Sequence, residues 1–507
     1  TGTPDAAPSG DDLARARVRA VMAAPEAVTQ HSAVVAQAKR LGIHAPPDTG
    51  TPDAAPSGDD LPADAPPDFP EFEPTELALA NMAQTWIEGR GGFIIHDGDS
   101  FLWFDGDRFC RRSGHAKTQE LFKAMVWQAG PAWKPADHAR MGRRASIAGA
   151  MALTASALEV DRSTLDSDDW LLPCPGGVTV DLTTGKVRRS TPADRMTKIA
   201  GVAPDFSMPI PNWIAFLVQV GGGDEDEFLR LIQVLFGYLL TGSTKEQRLF
   251  YIVGRGGTGK STLVDIIRHV LGDFAVMTEA ATFAEQRHDP HPAALAALDG
   301  KRAVFAPEFE GRRADASKLK TVTGDSGLSV RGMRENFRPM RVTIKVIMVG
   351  NSEPQLRTVD EAIRRRFVLI PFNSPPPKVD LDLPAKLRAE APGILAWAIR
   401  GAQEWVEEGL YIPASIAQAS AEYLDDQDVF GSWISEHADL TDRRAFTASA
   451  ELFAHWKLYA EAANEAAGTA KAFGSRLRKV GLRSGWTRVN GKSAKGWTGC
   501  KLRTLAP

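Results

Sequence analysis

Four short apolar runs occupy the middle of the chain and predict a sheet that is buried on both faces. They lie at 248–254, 302–308, 344–351 and 366–372, separated by polar or helix-patterned stretches. Continuous apolar runs of this length are typical of buried strands in an α/β sheet, whereas strands with one solvated face alternate apolar and polar residues. We therefore expect an α/β fold with this sheet as its core.

The segments on either side of these runs carry other patterns. Residues 92–109 are typical of a hairpin turned at Asp97 and Gly98, and residues 170–190 predict short strands. Apolar helices are expected over 211–242 and again over 379–410. The predicted domains are a linker with a helical stretch at 1–75, a mixed α+β module at 76–210, a helical collar for oligomerisation at 211–245, the core at 246–375, a helical extension at 376–427 and a C-terminal domain at 428–507.

Charge is distributed unevenly, although the net charge of the 507 residues is only −3. A Pro- and Asp-rich segment occurs twice near the N-terminus, at 1–13 and 49–61. It cannot bury an apolar face, so it predicts a flexible linker. Residues 471–507 hold ten Lys and Arg side chains and no Asp or Glu. This contrast favours a solvated N-terminal region and a C-terminal surface that contacts a polyanion.

Composition argues against several classes of protein. The three cysteines are far apart and form no C-x-x-C pair, which argues against a disulfide framework or a zinc ribbon and fits a reducing cytosol. No apolar run reaches about 18 residues, so we expect no transmembrane helix and no membrane partner. No signal peptide is recognisable. His288, Asp289 and His291 lie close together, but we expect no metal site in this Pro-containing loop.

The stretch "GRGGTGKS" at 254–261 matches the pattern G-x-x-x-x-G-K-[ST] of a phosphate-binding loop. A strand pattern enters the loop and an amphipathic helix pattern leaves it, so the positive end of the helix dipole would lie beneath the phosphates. Lys260 would reach the β- and γ-phosphates, and the Ser261 hydroxyl would ligate Mg²⁺. We predict a site for ATP and Mg²⁺ formed by Gly254, Arg255, Gly256, Gly257, Thr258, Gly259, Lys260, Ser261 and Thr262.

Polar residues follow the next apolar runs, where strands of such a sheet end beside the phosphate loop. Glu308 is our candidate for polarising the attacking water and for a place near the metal, with Glu310 as the alternative or supporting carboxylate. Both would be ordinary surface acids in the simplest alternative. Asn351 would orient the water or sense the γ-phosphate, and a simple turn former is its alternative.

An arginine cluster precedes the last apolar run of the core. Arg364, Arg365 and Arg366 are consecutive, and such a cluster can stabilise charge that develops on a nucleotide held by a neighbouring subunit. We assign this catalytic role to Arg365 and Arg366. A solvated basic face is the alternative.

Taken in order, these motifs resemble those of superfamily 3 helicases, and more closely those of the phage and plasmid primase family, which includes satellite-phage and poxvirus-type helicase–primases. The resemblance rests on "GRGGTGKST", "GKRAVFAPEFEG", "KLKTVTGDSGLSVRGMRENF", "IKVIMVGNSEPQL" and "EAIRRRFVLIPF". It implies an AAA+-like P-loop ATPase core, a hexameric ring and 3′ to 5′ travel. Many relatives carry two adjacent acids where this chain has Pro307 and Glu308, which leaves the division of roles between Glu308 and Glu310 open. No primase is visible in this sequence, so a primase domain would lie outside it if the parent protein has one, and a primase or polymerase is also a candidate partner.

The resemblance also implies a hairpin between Gly324 and Thr343 that projects into the channel of the ring. Its sequence fits this role, because cations can grip phosphate and an aromatic ring can stack on a base. An ordinary exposed basic hairpin is the alternative, and Lys318 and Lys320 on the preceding helix could face the channel or solvent. The candidate DNA-binding residues of the hairpin are Arg331, Arg334, Phe337 and Arg338.

The C-terminal domain looks like a winged helix. Residues 471–480 would be its recognition helix and 485–503 its wing, with Trp486 and Trp497 as core or stacking residues. Charge alone often reflects solubility, but ten cations without one acid favour contact with DNA. The candidate contacts are Arg476, Arg478, Lys479, Arg483, Lys492 and Lys495.

The sequence therefore indicates an ATP-dependent, ring-forming DNA helicase of phage or plasmid replication, which would act in the bacterial host cytoplasm on single-stranded and forked or duplex DNA. The first alternative is an origin-binding initiator ATPase that assembles on DNA or melts it without processive unwinding. A small-molecule P-loop kinase is the second, and it would not need the basic C-terminal surface.

Overall fold

The computed structural model describes residues 71–111, 114–222, 225–285, 293–309, 312–324, 328–331, 337–356, 359–463, 467–489 and 492–503. Several residues singled out above lie outside these ranges. They are the duplicated segments, the run from His288 to His291, Glu310 and Arg334. The predictions made for them stay predictions.

The N-terminal part is mixed α and β. Helix α1 begins after Thr75, whose hydroxyl accepts a hydrogen bond from the Ala78 amide at 3.1 Å, as an N-cap does. The predicted hairpin is present, and its turn is closed by Asp97, which accepts from the Ser100 amide at 2.9 Å. The elements are α1 Glu76–Glu88, β1 Ile94–His96, β2 Phe101–Phe104, β3 Phe109–Cys110, α2 Gly114–Ala129, α3 Pro135–Met141, α4 Arg144–Ala157, β4 Leu171–Cys174, β5 Val178–Asp181 and β6 Val187–Arg189, with 3-10 turns at Gly130–Ala132, Arg162–Thr164 and Pro192–Asp194.

The central part holds the predicted sheet and the helices before it. Its elements are α5 Pro211–Gly221, α6 Glu225–Leu240, β7 Leu249–Val253, α7 Lys260–Leu271, β8 Ala275–Met277, α8 Ala293–Ala296, β9 Ala303–Ala306, β10 Arg313–Ala314, α9 Ala316–Val322, β11 Leu328–Val330, β12 Arg338–Met340, β13 Lys345–Gly350, β14 Gln355–Leu356, α10 Glu361–Arg364 and β15 Phe367–Pro371, with 3-10 turns at Gly272–Phe274 and Ala280–Thr282.

Five of these strands form a parallel sheet in the order β15-β7-β13-β9-β8. Both faces of the sheet are buried, as the apolar runs predicted. Along β7, Phe250 and Ile252 belong to one hydrophobic cluster, while Leu249 and Tyr251 belong to the other. Because all five strands run the same way, every residue that follows a strand lies at one edge of the sheet. We call this the carboxyl edge, and the opposite one the amino edge.

Three helices follow the sheet, namely α11 Leu383–Ala389, α12 Ala391–Glu408 and α13 Ala414–Gln427. Helix α12 packs closely against α6, and glycines make this possible. A Cβ on Gly237 would lie 2.0 Å from the Ala402 amide nitrogen, and one on Gly401 would lie 2.0 Å from the Gln233 carbonyl oxygen. The two helices thus cover one face of the sheet with their backbones almost in contact.

The C-terminal part has its own core, formed around Trp433, Trp456 and Phe473. Its three-stranded antiparallel sheet has the order β17-β19-β18, and β16 pairs with β20. The elements are α14 Val429–His437, β16 Ala438–Asp439, β17 Phe446–Ala448, α15 Ser449–Ala462, α16 Ala470–Lys479, β18 Arg483–Val489, β19 Lys492–Thr498 and β20 Lys501–Leu502.

Residues 76–210 contribute to more than one hydrophobic cluster. Residues between Leu79 and Met151 form a separate core, whereas Leu172 and Val180 of the second small sheet belong to the cluster that covers the central sheet. Within the described residues, no helix is both long and apolar enough to cross a bilayer.

Candidate functional site

The loop at 254–259, which we call the glycine-rich loop, joins β7 to α7. Its ends are anchored tightly. A Cβ on Gly254 would lie 2.0 Å from the Phe372 carbonyl oxygen, and one on Gly259 would lie 2.8 Å from the Phe216 ring. Gly259 also has φ +93°, a left-handed conformation that favours glycine. Only glycine therefore fits at either end.

The middle of the same loop is open. Gly256 and Gly257 are exposed, and a Cβ on either residue would meet no heavy atom within 4 Å. Gly257 has φ +82°. Successive amides in a turn of this kind form a concave surface that suits an anion. The positive end of the α7 dipole, a helix of twelve residues, lies next to it.

Lys260, the first residue of α7, is buried with 7% of its surface exposed. Its ammonium donates to the Gly254 carbonyl at 2.5 Å and to the Arg255 carbonyl at 2.9 Å. It also donates to Asn351 Oδ1 at 3.0 Å. Asn351 follows β13, the neighbour of β7 in the sheet, and the register pairs Gly350 with Val253. The parallel sheet thus brings together two predicted site residues that are far apart in sequence.

Glu308 lies at the same carboxyl edge, two residues after β9. Its side chain is exposed, and its backbone has φ +56°, which is uncommon for a residue with a Cβ. The turn is held by the next residue, because the Phe309 amide donates to the Val349 carbonyl at 3.2 Å and the Phe309 ring is fully buried. Strained backbone of this kind costs about 1–3 kcal/mol and is concentrated at functional sites.

These residues fit a nucleotide with Mg²⁺. The open middle of the glycine-rich loop offers amides to phosphate, and Lys260 lies beside it. Ser261 and Glu308 are exposed at the same edge and carry oxygen ligands. The described residues contain no cluster of three or more His, Cys, Asp or Glu side chains suited to a metal. Mg²⁺ needs no such cage, since it keeps several waters and takes one or two protein ligands besides phosphate.

The arginine cluster lies at the amino edge, just before β15, and its members differ. Arg366 is buried, and its guanidinium donates to Thr323 Oγ1 at 3.2 Å, to the Ala362 carbonyl at 3.0 Å and to Gln247 Oε1 at 2.9 Å. Arg364 pairs with Asp425 at 2.6 Å. Only Arg365 of the three is exposed. Because the Arg366 guanidinium is buried and held by its own chain, the exposed Arg365 is the better placed of the two to reach a neighbouring subunit.

The same edge holds two buried cations that sequence reasoning missed. Arg302, just before β9, donates to the carbonyls of Leu240 and Leu171, the latter at 2.9 Å. Lys345, which begins β13, donates to the carbonyl of Thr241. Burial lowers the pKa of Arg302 to about 10 and holds the pKa of Lys345 well below its usual value. The sequence feature that could have identified them is a cation at the start of an apolar run, since Arg302 begins the run at 302–308 and Lys345 is the second residue of the run at 344–351.

Arg341 continues this amino-edge cluster. It donates to the Ser167 carbonyl at 2.7 Å and forms an ion pair with Asp169. The chain between β12 and β13 is thereby fastened to the segment that leads into β4. Strand β13 is thus followed by Asn351 at the carboxyl edge, and at the amino edge it is preceded by a segment that Arg341 anchors.

The predicted hairpin is present as β11 and β12, and it pairs Val330 with Arg338. Arg331 and Phe337 are exposed, and the Arg331 guanidinium lies 4.9 Å from the centre of the Phe337 ring. Arg338 instead forms an ion pair with Asp299 at 2.5 Å, so its charge is partly neutralised at the base of the hairpin. Lys318 and Lys320, on α9, form ion pairs with Asp315 at 3.3 Å and Asp360 at 2.5 Å.

The basic residues of the C-terminal part are mostly exposed. Arg476 is half-buried, with its guanidinium 5.5 Å from the Phe430 ring and 5.7 Å from the Trp456 ring. The two tryptophans, Trp486 and Trp497, differ in exposure. Trp497 is 5% exposed and belongs to the core, whereas Trp486 is 70% exposed. Lys492 begins β19. The exposed candidate cations are Arg478, Lys479, Arg483 and Lys495.

Comparison with known proteins gives two family matches. Residues 82–220 match the family described as "D5 N terminal like". This segment is D5-like. Residues 252–366, which include the glycine-rich loop, Glu308 and Asn351, match a family of unknown function (DUF5906).

A curated protein of Acanthamoeba polyphaga mimivirus, named as a candidate helicase L207/L206, is 24% identical over 301 residues. The match covers 54% of this chain and 31% of the viral protein, so the chain spans about a third of that relative's length. Together with the D5-like segment, it supports a relationship to D5-like helicase–primases.

Solved structures of the NrS-1 C-terminal region are also similar. An apo structure matches with a TM-score of 0.36 and 14% identity over 59% of this chain and 77% of the other. An A form apo structure gives a TM-score of 0.37 and 15% identity over the same shares.

Proposed function

We propose that this chain is an ATP-dependent DNA helicase of phage or plasmid replication that works as a ring. The observation that carries the proposal is the meeting of Lys260, Asn351 and Glu308 at the carboxyl edge, beside the open glycine-rich loop. The triphosphate of ATP, a Mg²⁺ ion and the attacking water would all contact protein groups there. The relationship to helicase–primases supports replication as the setting.

Each residue at this edge has a defined task in ATP hydrolysis. The loop amides and the Lys260 ammonium bind the phosphates, which would replace the Gly254 and Arg255 carbonyls as acceptors. Ser261 and Glu308 would hold Mg²⁺, which supplies charge neutralisation between the β- and γ-phosphates. Glu308 accepts a proton from the attacking water, and Asn351 orients that water while it remains bonded to Lys260.

Arg365 completes the site of a neighbouring subunit in this proposal. It lies before β15, which pairs with β7 in parallel register. Arg366 and the five residues of β15 therefore separate it from the level of the glycine-rich loop of its own chain, a rise of roughly 20 Å at about 3.3 Å per residue. A guanidinium cannot close that distance, whereas a ring can place the amino edge of one subunit against the carboxyl edge of the next. The strand order, in which the first core strand lies between the last two, supports an AAA+-like core.

DNA contacts come from two further surfaces. The β11–β12 hairpin presents Arg331 and Phe337, a cation and an aromatic ring in contact, which suits a single strand. We assign the C-terminal part as a winged helix. Its element order supports this assignment: a helix, two short strands, two helices, a two-stranded hairpin and a final short strand.

Unwinding of a forked duplex tests the proposal. With ATP and Mg²⁺, the protein should separate the strands of a fork and release a labelled strand, and the Lys260→Ala variant should not. Local melting without strand release on a long fork would instead favour the origin-binding initiator. ATP turnover that DNA does not stimulate, with no strand separation, would contradict both and favour a small-molecule kinase.

A further inference from the structure

The hairpin formed by β18 and β19, which we call the C-terminal hairpin, carries an exposed tryptophan on a defined face. Trp486 pairs with Lys495, and Ser484 pairs with Trp497. Residues opposite each other in an antiparallel pair point to the same face, as do residues two apart on one strand. Trp486, Lys495 and Trp497 therefore share a face.

That face is directed towards α16. Trp497 is buried against this helix, because a Cβ on Gly474 of α16 would lie 3.1 Å from its ring. Trp486 lies two pairs further along the hairpin, and 70% of its surface is exposed. Continuing along the same face, Arg488 follows Trp486 by two residues and is exposed.

An indole in this position has no packing role. Burying a large aromatic side chain contributes several kcal/mol to stability, and Trp486 forgoes most of that contribution. Its immediate partner Lys495 is an exposed cation, and residues 471–503 contain no Asp or Glu. The hairpin and the helix before it thus combine an exposed aromatic ring with charged side chains that are all cationic, which is complementary to a polyanion that also offers flat apolar faces.

We propose that Trp486 stacks on an unpaired base of single-stranded DNA next to a duplex, while the cations of the C-terminal hairpin and of α16 hold the phosphates. This inference rests on the proposed DNA-binding role of the C-terminal part and adds a partner to it, the junction between paired and unpaired DNA. In a duplex the base faces are covered by their neighbours, so an indole can stack only where pairing ends. Aromatic stacking of this kind is lost on substitution with alanine at a cost of about tenfold or more in affinity.

Binding of the full chain to a blunt duplex and to the same duplex with an unpaired extension tests the inference. The wild-type protein should prefer the extended DNA, and Trp486→Ala should lower that preference about tenfold while leaving the blunt-duplex affinity unchanged. Trp486→Phe should keep most of it. Trp127, which is 76% exposed on α2, offers a matched control, and Trp127→Ala should have no effect. A 2-aminopurine at the first unpaired position should be quenched by wild type and not by Trp486→Ala.

Two results would overturn the inference alone. An equal loss of affinity for both DNAs would make the indole a duplex contact, and no loss for either would make it an idle surface residue. Failure of the wild-type protein to bind the blunt duplex would instead overturn the DNA-binding role proposed for the whole C-terminal part. Because Trp486 is exposed, Trp486→Ala should keep the thermal midpoint of wild type, which separates these outcomes from misfolding.

Discussion

The two edges of the central sheet use buried cations in opposite ways. At the carboxyl edge, Lys260 donates to two carbonyls of a loop whose middle is exposed and unobstructed. At the amino edge, Arg302 and Lys345 donate to carbonyls of packed segments that they hold in place. A buried cation with carbonyl acceptors is therefore not by itself the sign of a site. What distinguishes Lys260 is the open anion-binding surface beside it.

Separate substitutions of Lys260 and Lys345 should distinguish the two edges by the largest difference in ATP turnover. Lys260→Ala should lower ATP turnover by at least about 10²- to 10³-fold, because the positive charge that binds the β- and γ-phosphates is lost. Lys345→Met removes a buried cation at the amino edge and replaces it with an unbranched apolar side chain of similar length. It should keep ATP turnover within a few-fold of wild type. Phosphate release at saturating ATP measures both. Equal loss in the two variants would remove the functional distinction between the edges.

The amino edge should nevertheless contribute one catalytic group, across a subunit boundary. Arg365→Ala should be almost inactive alone, and mixing it with Lys260→Ala should restore part of the turnover, because some interfaces then pair an intact loop with an intact arginine. The expected contribution of such an arginine is about 10³- to 10⁵-fold.

Arg366→Ala provides the comparison for this experiment. It removes the buried guanidinium that donates to Thr323 and Gln247, so it should lower the thermal midpoint of the protein. If turnover is never restored by mixing Arg365→Ala with Lys260→Ala at any ratio, Arg365 acts in its own subunit or is structural.

Glu308 should matter far more for hydrolysis than for binding. Glu308→Gln keeps an oxygen ligand for Mg²⁺, so it should bind ATP within a few-fold of wild-type affinity. It should hydrolyse ATP about 10²- to 10⁴-fold more slowly, since the amide cannot accept a proton from water. Single-turnover hydrolysis and equilibrium binding of labelled ATP measure the two effects separately. Should Glu310→Gln stop turnover while Glu308→Gln does not, the roles of the two carboxylates are reversed.

The smallest expected effect is a pH dependence at the amino edge. Burial lowers the pKa of Lys345, so the unfolded state binds more protons than the folded state between that lowered pKa and the ordinary value. Stability should therefore rise with pH over this window, by at most about 1.4 kcal/mol per pH unit. Lys345→Met should flatten the rise. Urea unfolding of both proteins from pH 7 to 10 measures it, and identical slopes would contradict the assignment.

Local sequence predicted the strands, the glycine-rich loop and the N-terminal hairpin, because apolar runs and turn residues determine these over a few positions. The β11–β12 hairpin was instead implied by the resemblance to superfamily 3 helicases. The apolar runs also predicted that both faces of the sheet are buried. Local sequence could not predict contacts between residues that are distant along the chain. Arg366 could not be separated from Arg365 without its contact to Gln247, 119 residues away, and Arg338 could not be seen to pair with Asp299. The left-handed backbone of Glu308 depends on the tertiary contact of Phe309 with β13.

The central claim is that the carboxyl edge hydrolyses ATP in response to DNA. The most direct test is phosphate release by the full chain with Mg²⁺, measured with and without single-stranded DNA, for wild type and for Arg331→Ala. The account predicts turnover that DNA stimulates in wild type, with weaker stimulation but the same DNA-independent rate in Arg331→Ala, because Arg331 lies on the hairpin and not at the glycine-rich loop. Turnover that is absent, or that single-stranded DNA leaves unchanged in the wild-type protein, would contradict it.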